Sequence, residues 1–178
     1  KEEPIVFTSS QSVGQRAAGD WGGLVLLGRA ATNFQGGVGQ AEGLEDSATY
    51  GGSDPSYSCG TLRWVRVEFA GFELTPDNEL NSITFYSCGT GTKVEYVQTH
   101  IGLDDGFEWF GGGFDAKYLV ATGAADDSLD IDQGFTGKLQ YVVLQQDPDV
   151  GNYGFEWSIQ DVNIDASPRS NPQVSNVT

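Results

Sequence analysis

The feature that most constrains this chain is a six-residue pattern: apolar, polar, aromatic or asparagine, apolar, polar, apolar. It reads Leu62-Arg63-Trp64-Val65-Arg66-Val67, Val94-Glu95-Tyr96-Val97-Gln98-Thr99, Ala116-Lys117-Tyr118-Leu119-Val120-Ala121 and Leu139-Gln140-Tyr141-Val142-Val143-Leu144. The terminal Val174-Ser175-Asn176-Val177-Thr178 fits the same template. The third positions, at 64, 96, 118, 141 and 176, are separated by 32, 22, 23 and 35 residues. Two steps near 22 and two longer ones predict a coil of constant length with loops inserted in some turns. Such a repeat cannot bury its apolar face alone, and stacking like strand on like strand solves that problem. The fold expected is therefore all-β: a right-handed parallel β-helix of about five to six coils with one long loop insertion.

The pattern also predicts sidedness. Leu62, Val65 and Val67 point inward and stack on Val94, Val97 and Thr99, then Ala116, Leu119 and Ala121, then Leu139, Val142 and Leu144. Arg63, Glu95 and Lys117 form an outward row of alternating sign, the order that neighbouring strands favour. The third position breaks the alternation and marks a bend, so Trp64, Tyr96, Tyr118, Tyr141 and Asn176 form a ladder there. A second strand follows the first within segments 21–27, 81–86, 106–110, 128–131 and 154–158. Segment 30–58, rich in Gly, Ser and Asp, reads as one inserted loop. The rest of 1–178 reads as a single β-helix fragment of a longer chain.

Charge narrows the partners. With 25 acidic against 9 basic residues the net charge is −16, which repels nucleic acid and anionic membranes and favours divalent cations. No apolar run is long enough for a membrane-spanning helix. Cys59 and Cys88 each lie in a Ser-Cys-Gly-Thr string ahead of a repeat strand, and equivalent places on adjacent coils stack within disulfide range. A bridge there implies an oxidising, extracytoplasmic setting; two buried free thiols are the alternative.

Four strings carry a family resemblance: Pro4-Ile5-Val6-Phe7-Thr8-Ser9, Gly19-Asp20-Trp21-Gly22-Gly23-Leu24, residues 62–71 and residues 104–112. They resemble large secreted or lipid-anchored bacterial surface proteins with a right-handed β-helix similar to the pectin-lyase-like superfamily. The resemblance covers nearly the whole chain. It implies an extracellular or outer-surface location in a bacterium and further coils at both ends, and it brings no activity with it.

The sharpest constellation is acidic. Asp104-Asp105 precedes Asp126-Asp127 by 22 residues, and Glu108 precedes Asp130 by the same step. Asp147, Asp149 and Glu156 follow one coil later. Carboxylates stacked at strand spacing repel one another unless neutralised, and Ca²⁺, with six to eight oxygen ligands, does so well. Asp104, Asp105, Glu108, Asp126, Asp127 and Asp130 are the candidate calcium ligands; aspartates capping turn amides are the competing reading. Trp109 and Trp157, in near-duplicate Gly-Phe-Glu-Trp strings, suit sugar stacking if exposed and core packing if not. No catalytic set stands out: His100, the lone histidine, falls in an outward row with Glu68 and Thr122. The expected function is a cation-stabilised, non-catalytic structural or adhesive surface module. The alternatives are a polysaccharide-active enzyme (a Ca²⁺-dependent lyase or a hydrolase) and a glycan-binding module; glycans or further coils of the same or a neighbouring chain are the expected partners.

Overall fold

The computed structural model describes residues 3–44, 48–75, 78–160 and 162–178. The elements are fifteen strands, with no helix among the described residues. They run β1 (Ile5–Phe7), β2 (Leu24–Leu27), β3 (Gly39–Gln40), β4 (Thr49–Tyr50), β5 (Thr61–Glu68), β6 (Glu73–Thr75), β7 (Asn78–Glu79) and β8 (Ile83–Tyr86). Then come β9 (Lys93–His100), β10 (Phe107–Phe110), β11 (Asp115–Thr122), β12 (Leu129–Asp132), β13 (Lys138–Gln145), β14 (Phe155–Trp157) and β15 (Gln173–Val177). The first sheet is ordered β1-β5-β9-β11-β13-β15 and the second β2-β8-β10-β12-β14, and every pairing within them is parallel. Each coil thus contributes one long strand to the first sheet and one short strand to the second: a parallel β-helix. Connections of this strand–crossover–strand kind are right-handed as a rule.

Register follows the repeat. Leu62 pairs with Val94, Val94 with Ala116, Ala116 with Leu139 and Leu139 with Val174. The inward rows are buried: Val65, Val67, Val94, Val97, Thr99, Ala116, Leu119, Ala121, Leu139 and Val142 are each at most 5% exposed. Facing them, Ile83, Phe85, Phe107, Trp109, Leu129 and Ile131 of the second sheet complete the core.

Three corners are set by residues in the left-handed backbone region, stacked coil on coil. One column is Trp64, Tyr96, Tyr118, Tyr141 and Asn176, all with φ between 56° and 60°. A second comprises Phe69, Ile101 and Gly123, just beyond the long strands, and a third Ser87, Gly111 and Gln133, just beyond the short ones. A non-glycine residue held there costs about 1–2 kcal/mol. At the first corner this is offset by ring stacking, with centroids 4.0 Å apart for Trp64–Tyr96, 4.4 Å for Tyr96–Tyr118 and 5.1 Å for Tyr118–Tyr141. An aromatic pair contributes about 0.5–1.5 kcal/mol beyond its buried area.

The inserted material is more distributed than one long loop. The 32-residue step contains the β6–β7 hairpin, and the 35-residue step contains the connection from β14 to β15. Segment 30–58, of which 45–47 lie outside the described residues, is not thrown out into solvent. It folds back as the β3–β4 hairpin and lays Ala41 and Tyr50 on Tyr86 and Phe110, the outward face of the second sheet. Tyr50 is 1% exposed and its hydroxyl donates to Gln133 Oε1 at 2.6 Å.

Cys59 and Cys88 are disulfide-bonded, with Cα atoms 5.6 Å apart. The two Ser-Cys-Gly-Thr strings are not equivalent in register, however. Thr61 pairs with Lys93 rather than Thr90, so the bridge runs obliquely between the turn after β8 and the entry to β5.

Candidate functional site

One corner of the coil carries an amide-capping ladder. Asn81, Asp105 and Asp127 occupy the same place ahead of β8, β10 and β12. Asn81 Oδ1 accepts the Asp105 backbone N–H at 3.0 Å, and Asp105 Oδ1 accepts that of Asp127 at 2.9 Å. Asp127 Oδ1 in turn accepts the N–H of Tyr153 at 2.6 Å. Each side chain thus satisfies an amide one coil further along, a buried donor that would otherwise be costly. Asn81 escapes a search for carboxylates, although it stands in step with Asp105 and Asp127.

The outward row of the second sheet holds the acids themselves. Glu108 pairs in register with Thr84 on one side and Asp130 on the other, and Asp130 with Glu156. Exposure rises along the row: Glu108 is 6% exposed, Asp130 is partly exposed and Glu156 is exposed. Asn81 Nδ2 donates to Glu108 Oε2, while Asp130 Oδ1 is buried without a hydrogen-bond partner. Burial, compounded by Asp105 and Asp130, holds the Glu108 carboxyl well above the usual carboxylate range. Burial likewise raises Asp105 well above that range, with Asp104 adding to the effect. Asp130 is pushed up to about 7 by burial and then by Asp132, and Asp127 to about 7, again chiefly by burial.

Two triads bring carboxylate oxygens within 4.8 Å of one another: Asp104, Asp105 and Asp126, and Asp105, Glu108 and Asp130. Asp105 is common to both; Asp127 is in neither among the described residues. The donors are all hard oxygens, suited to calcium or magnesium rather than a soft metal. Either protons or such a cation can compensate the column.

Two further acids leave the column. Asp147 and Asp149 sit in the turn after β13, where Asp147 Oδ1 accepts the Asp149 N–H at 2.9 Å. The turn lengthens this coil, so Tyr153, not Asp149, follows Asp127.

The opposite face of the coil is open. The bend at the aromatic column makes a groove of about 840 Å³ along the first sheet. Trp64, Tyr96, Tyr118 and Tyr141 form one wall, Arg66, Gln98, Val120 and Val143 the other. Five of the nine cationic residues, Arg63, Arg66, Lys93, Lys117 and Lys138, lie on the strands of this sheet. Arg63 meets Glu95 at 3.5 Å, and Arg66 pairs with Glu68. His100 stands between Glu68 and Thr122. Thr122 Oγ1 donates to Thr99 O at 3.2 Å, so in this network the His100 Nδ1–H donates to Thr122 Oγ1 at 2.8 Å. Burial, and then Arg66, lower the His100 pKa.

The tryptophans separate. Trp109 is fully buried, 5.8 Å from both Phe85 and Phe107, and offers no ring face to a ligand. Its inward register position in the second sheet makes it core. Trp157, 52% exposed, lies at the end of that sheet in edge contact with Phe155.

Two parallel sheets wound into one solenoid, with a capping ladder at one corner and an open groove along the other sheet, define a protein of the parallel β-helix class. The chain belongs to the pectate-lyase-like β-helix domain family, whose model matches residues 1–178. No curated protein and no solved structure matched it. No helix among the described residues is long and apolar enough to cross a membrane.

Proposed function

We propose that the domain is a non-catalytic, polysaccharide-binding module of a bacterial cell surface or secreted protein, with its carboxyl column held by a hard divalent cation, calcium by preference. The observation that carries the binding half is the groove of about 840 Å³ along the first sheet, long, open and walled by aromatic rings. Stacked rings present their edges and hydroxyls to it, which suits contacts repeated at each coil along a linear polymer. The concentration of cations on this sheet relieves the repulsion that the net charge would impose on an acidic glycan. Hydrolysis of a glycosidic bond uses two carboxyl groups flanking it, whereas the groove lining offers Arg66, Gln98 and tyrosine hydroxyls. Membership of a pectate-lyase-like family supports a polysaccharide ligand. The disulfide fits an extracytoplasmic setting.

Glycan-array binding and calorimetry with the intact domain test the first half. Binding should fall when Arg66→Ala and Gln98→Ala narrow the polar wall, and incubation with the bound glycan should release no unsaturated or reducing-end products. Such products would overturn the non-catalytic reading. The cation half predicts that calcium raises the melting temperature at pH 8, where the carboxyls can ionise, and has little effect at pH 5. An unchanged melting temperature at pH 8 with calcium and with chelator would remove it.

A further inference from the structure

The aromatic column has a chemical property apart from any ligand. Tyr96, Tyr118 and Tyr141 are not merely close. Their rings are parallel to within 10° and 6°, at 4.4 and 5.1 Å between centroids. The backbone pins this arrangement on both sides of each ring, since Lys117 pairs with Glu95 and Gln140 while Leu119 pairs with Val97 and Val142. Tyr118 and Tyr141 are 37% and 44% exposed. The protein contains its own contrast in Tyr50 and Tyr86, whose centroids are 4.6 Å apart but which are 1% and 2% exposed where the inserted hairpin meets the second sheet.

We propose that the tyrosine ladder is a site of oxidative cross-linking, in which Tyr118 couples to Tyr96 or Tyr141 and staples adjacent coils as dityrosine. A one-electron oxidant takes an electron from each phenol, and each hydroxyl proton passes to water. The two tyrosyl radicals join through ring carbons ortho to oxygen. The two hydrogens on those carbons then move to the oxygens, restoring both phenols. With hydrogen peroxide as terminal oxidant and a haem peroxidase as mediator, two tyrosines and one peroxide give one biaryl and two waters. Rotation of both rings about Cβ–Cγ turns the stack into facing edges, and a further small inclination of the two side chains toward each other brings the ortho carbons to bonding distance. Holding the partners together replaces the encounter that ordinarily limits radical coupling. The buried Tyr50–Tyr86 pair is shielded from the oxidant.

The test treats the folded domain with peroxidase and hydrogen peroxide at several protein concentrations. Dityrosine fluorescence, a mass loss of two hydrogens and cross-linked peptide mapping are the readouts. The expected result is an intramolecular link at Tyr96–Tyr118 or Tyr118–Tyr141, in a yield independent of protein concentration. Tyr118→Phe keeps a ring in the stack and removes the phenol common to both links, so the intramolecular yield should drop about tenfold or more. Tyr57→Phe and Tyr153→Phe, outside the ladder, should leave it unchanged. Cross-links that are only intermolecular, or a yield indifferent to Tyr118→Phe with an unaltered melting temperature, would overturn the proposal.

Discussion

The two outward faces of this solenoid use one device for opposite ends. On the first sheet, in-register stacking piles ring on ring, with centroids 4.0 to 5.1 Å apart, and leaves the pile open to solvent. On the second, the same operation piles Glu108 on Asp130 on Glu156, and the inserted β3–β4 hairpin covers the near end. Rings attract their own kind, so repetition stabilises the first face without help. Carboxylates repel theirs, and covering them removes the water that would screen the repulsion. Repetition alone therefore suffices for the ladder, whereas the column needs a proton or a cation from outside the repeat.

Removing the cover should break the contrast most severely. Tyr50→Ala deletes the buried ring that joins the hairpin to Tyr86 and Phe110, and should cost about 3–5 kcal/mol in chemical denaturation. It should also return Glu108 toward an ordinary carboxylate pKa, read by NMR titration.

Neutralising the column tests the other side. Asp127 and Asp130 ionise near 7 when folded against an ordinary 3.8, so the native state holds extra protons between those values. Stability should be full below the unfolded value, fall as pH rises toward about 7, and then level off. Glu108→Gln keeps the shape and an acceptor for Asn81. Measured by denaturation at pH 8 without added cation, it should stabilise by about 1–3 kcal/mol and flatten the pH profile.

The ladder should respond through backbone as much as through contact. Tyr118→Ala loses two stacks while keeping the left-handed backbone, a cost of about 1–3 kcal/mol. Tyr118→Gly relieves that backbone and should lie closer to wild type, within about 1 kcal/mol. If glycine proved the worse of the two in thermal unfolding, the offset between stacking and strain would be wrong. Smallest of all, Arg63→Ala breaks an exposed pair with Glu95 and should change stability by about 0.5 kcal/mol or less, with the effect vanishing in high salt.

The sequence reveals what the side chains repeat. Trp64, Tyr96, Tyr118 and Tyr141 announce a corner because they share ring chemistry and break the apolar alternation, and the register of the first sheet follows. The other corners are silent: Phe69, Ile101 and Gly123 share nothing but a positive φ, as do Ser87, Gly111 and Gln133. Counting 22 from Asp127 reaches Asp149, but extra residues in the turn after β13 move the true successor to Tyr153. The covering role of 30–58 was hidden because its anchors, Ala30, Ala41 and Tyr50, are isolated apolar residues without period. Glu108 lies near enough to that segment to feel the charge of Glu42, an influence that could not be read from its own neighbourhood in the chain.

The corner columns have a consequence for how such a chain tolerates changes of length. The additions to the basic turn — the hairpin over the second sheet, β6–β7, the turn after β13 and the stretch before β15 — fall between strands, where the next left-handed residue restarts the count. A residue deleted inside β9 would have no such reset: every side chain beyond the gap would swap faces, and Tyr96 would leave both its stacks. Natural variation in related domains should therefore gather in the connections and spare the eight-residue strands, making the corners punctuation marks that let clauses grow while the grammar holds.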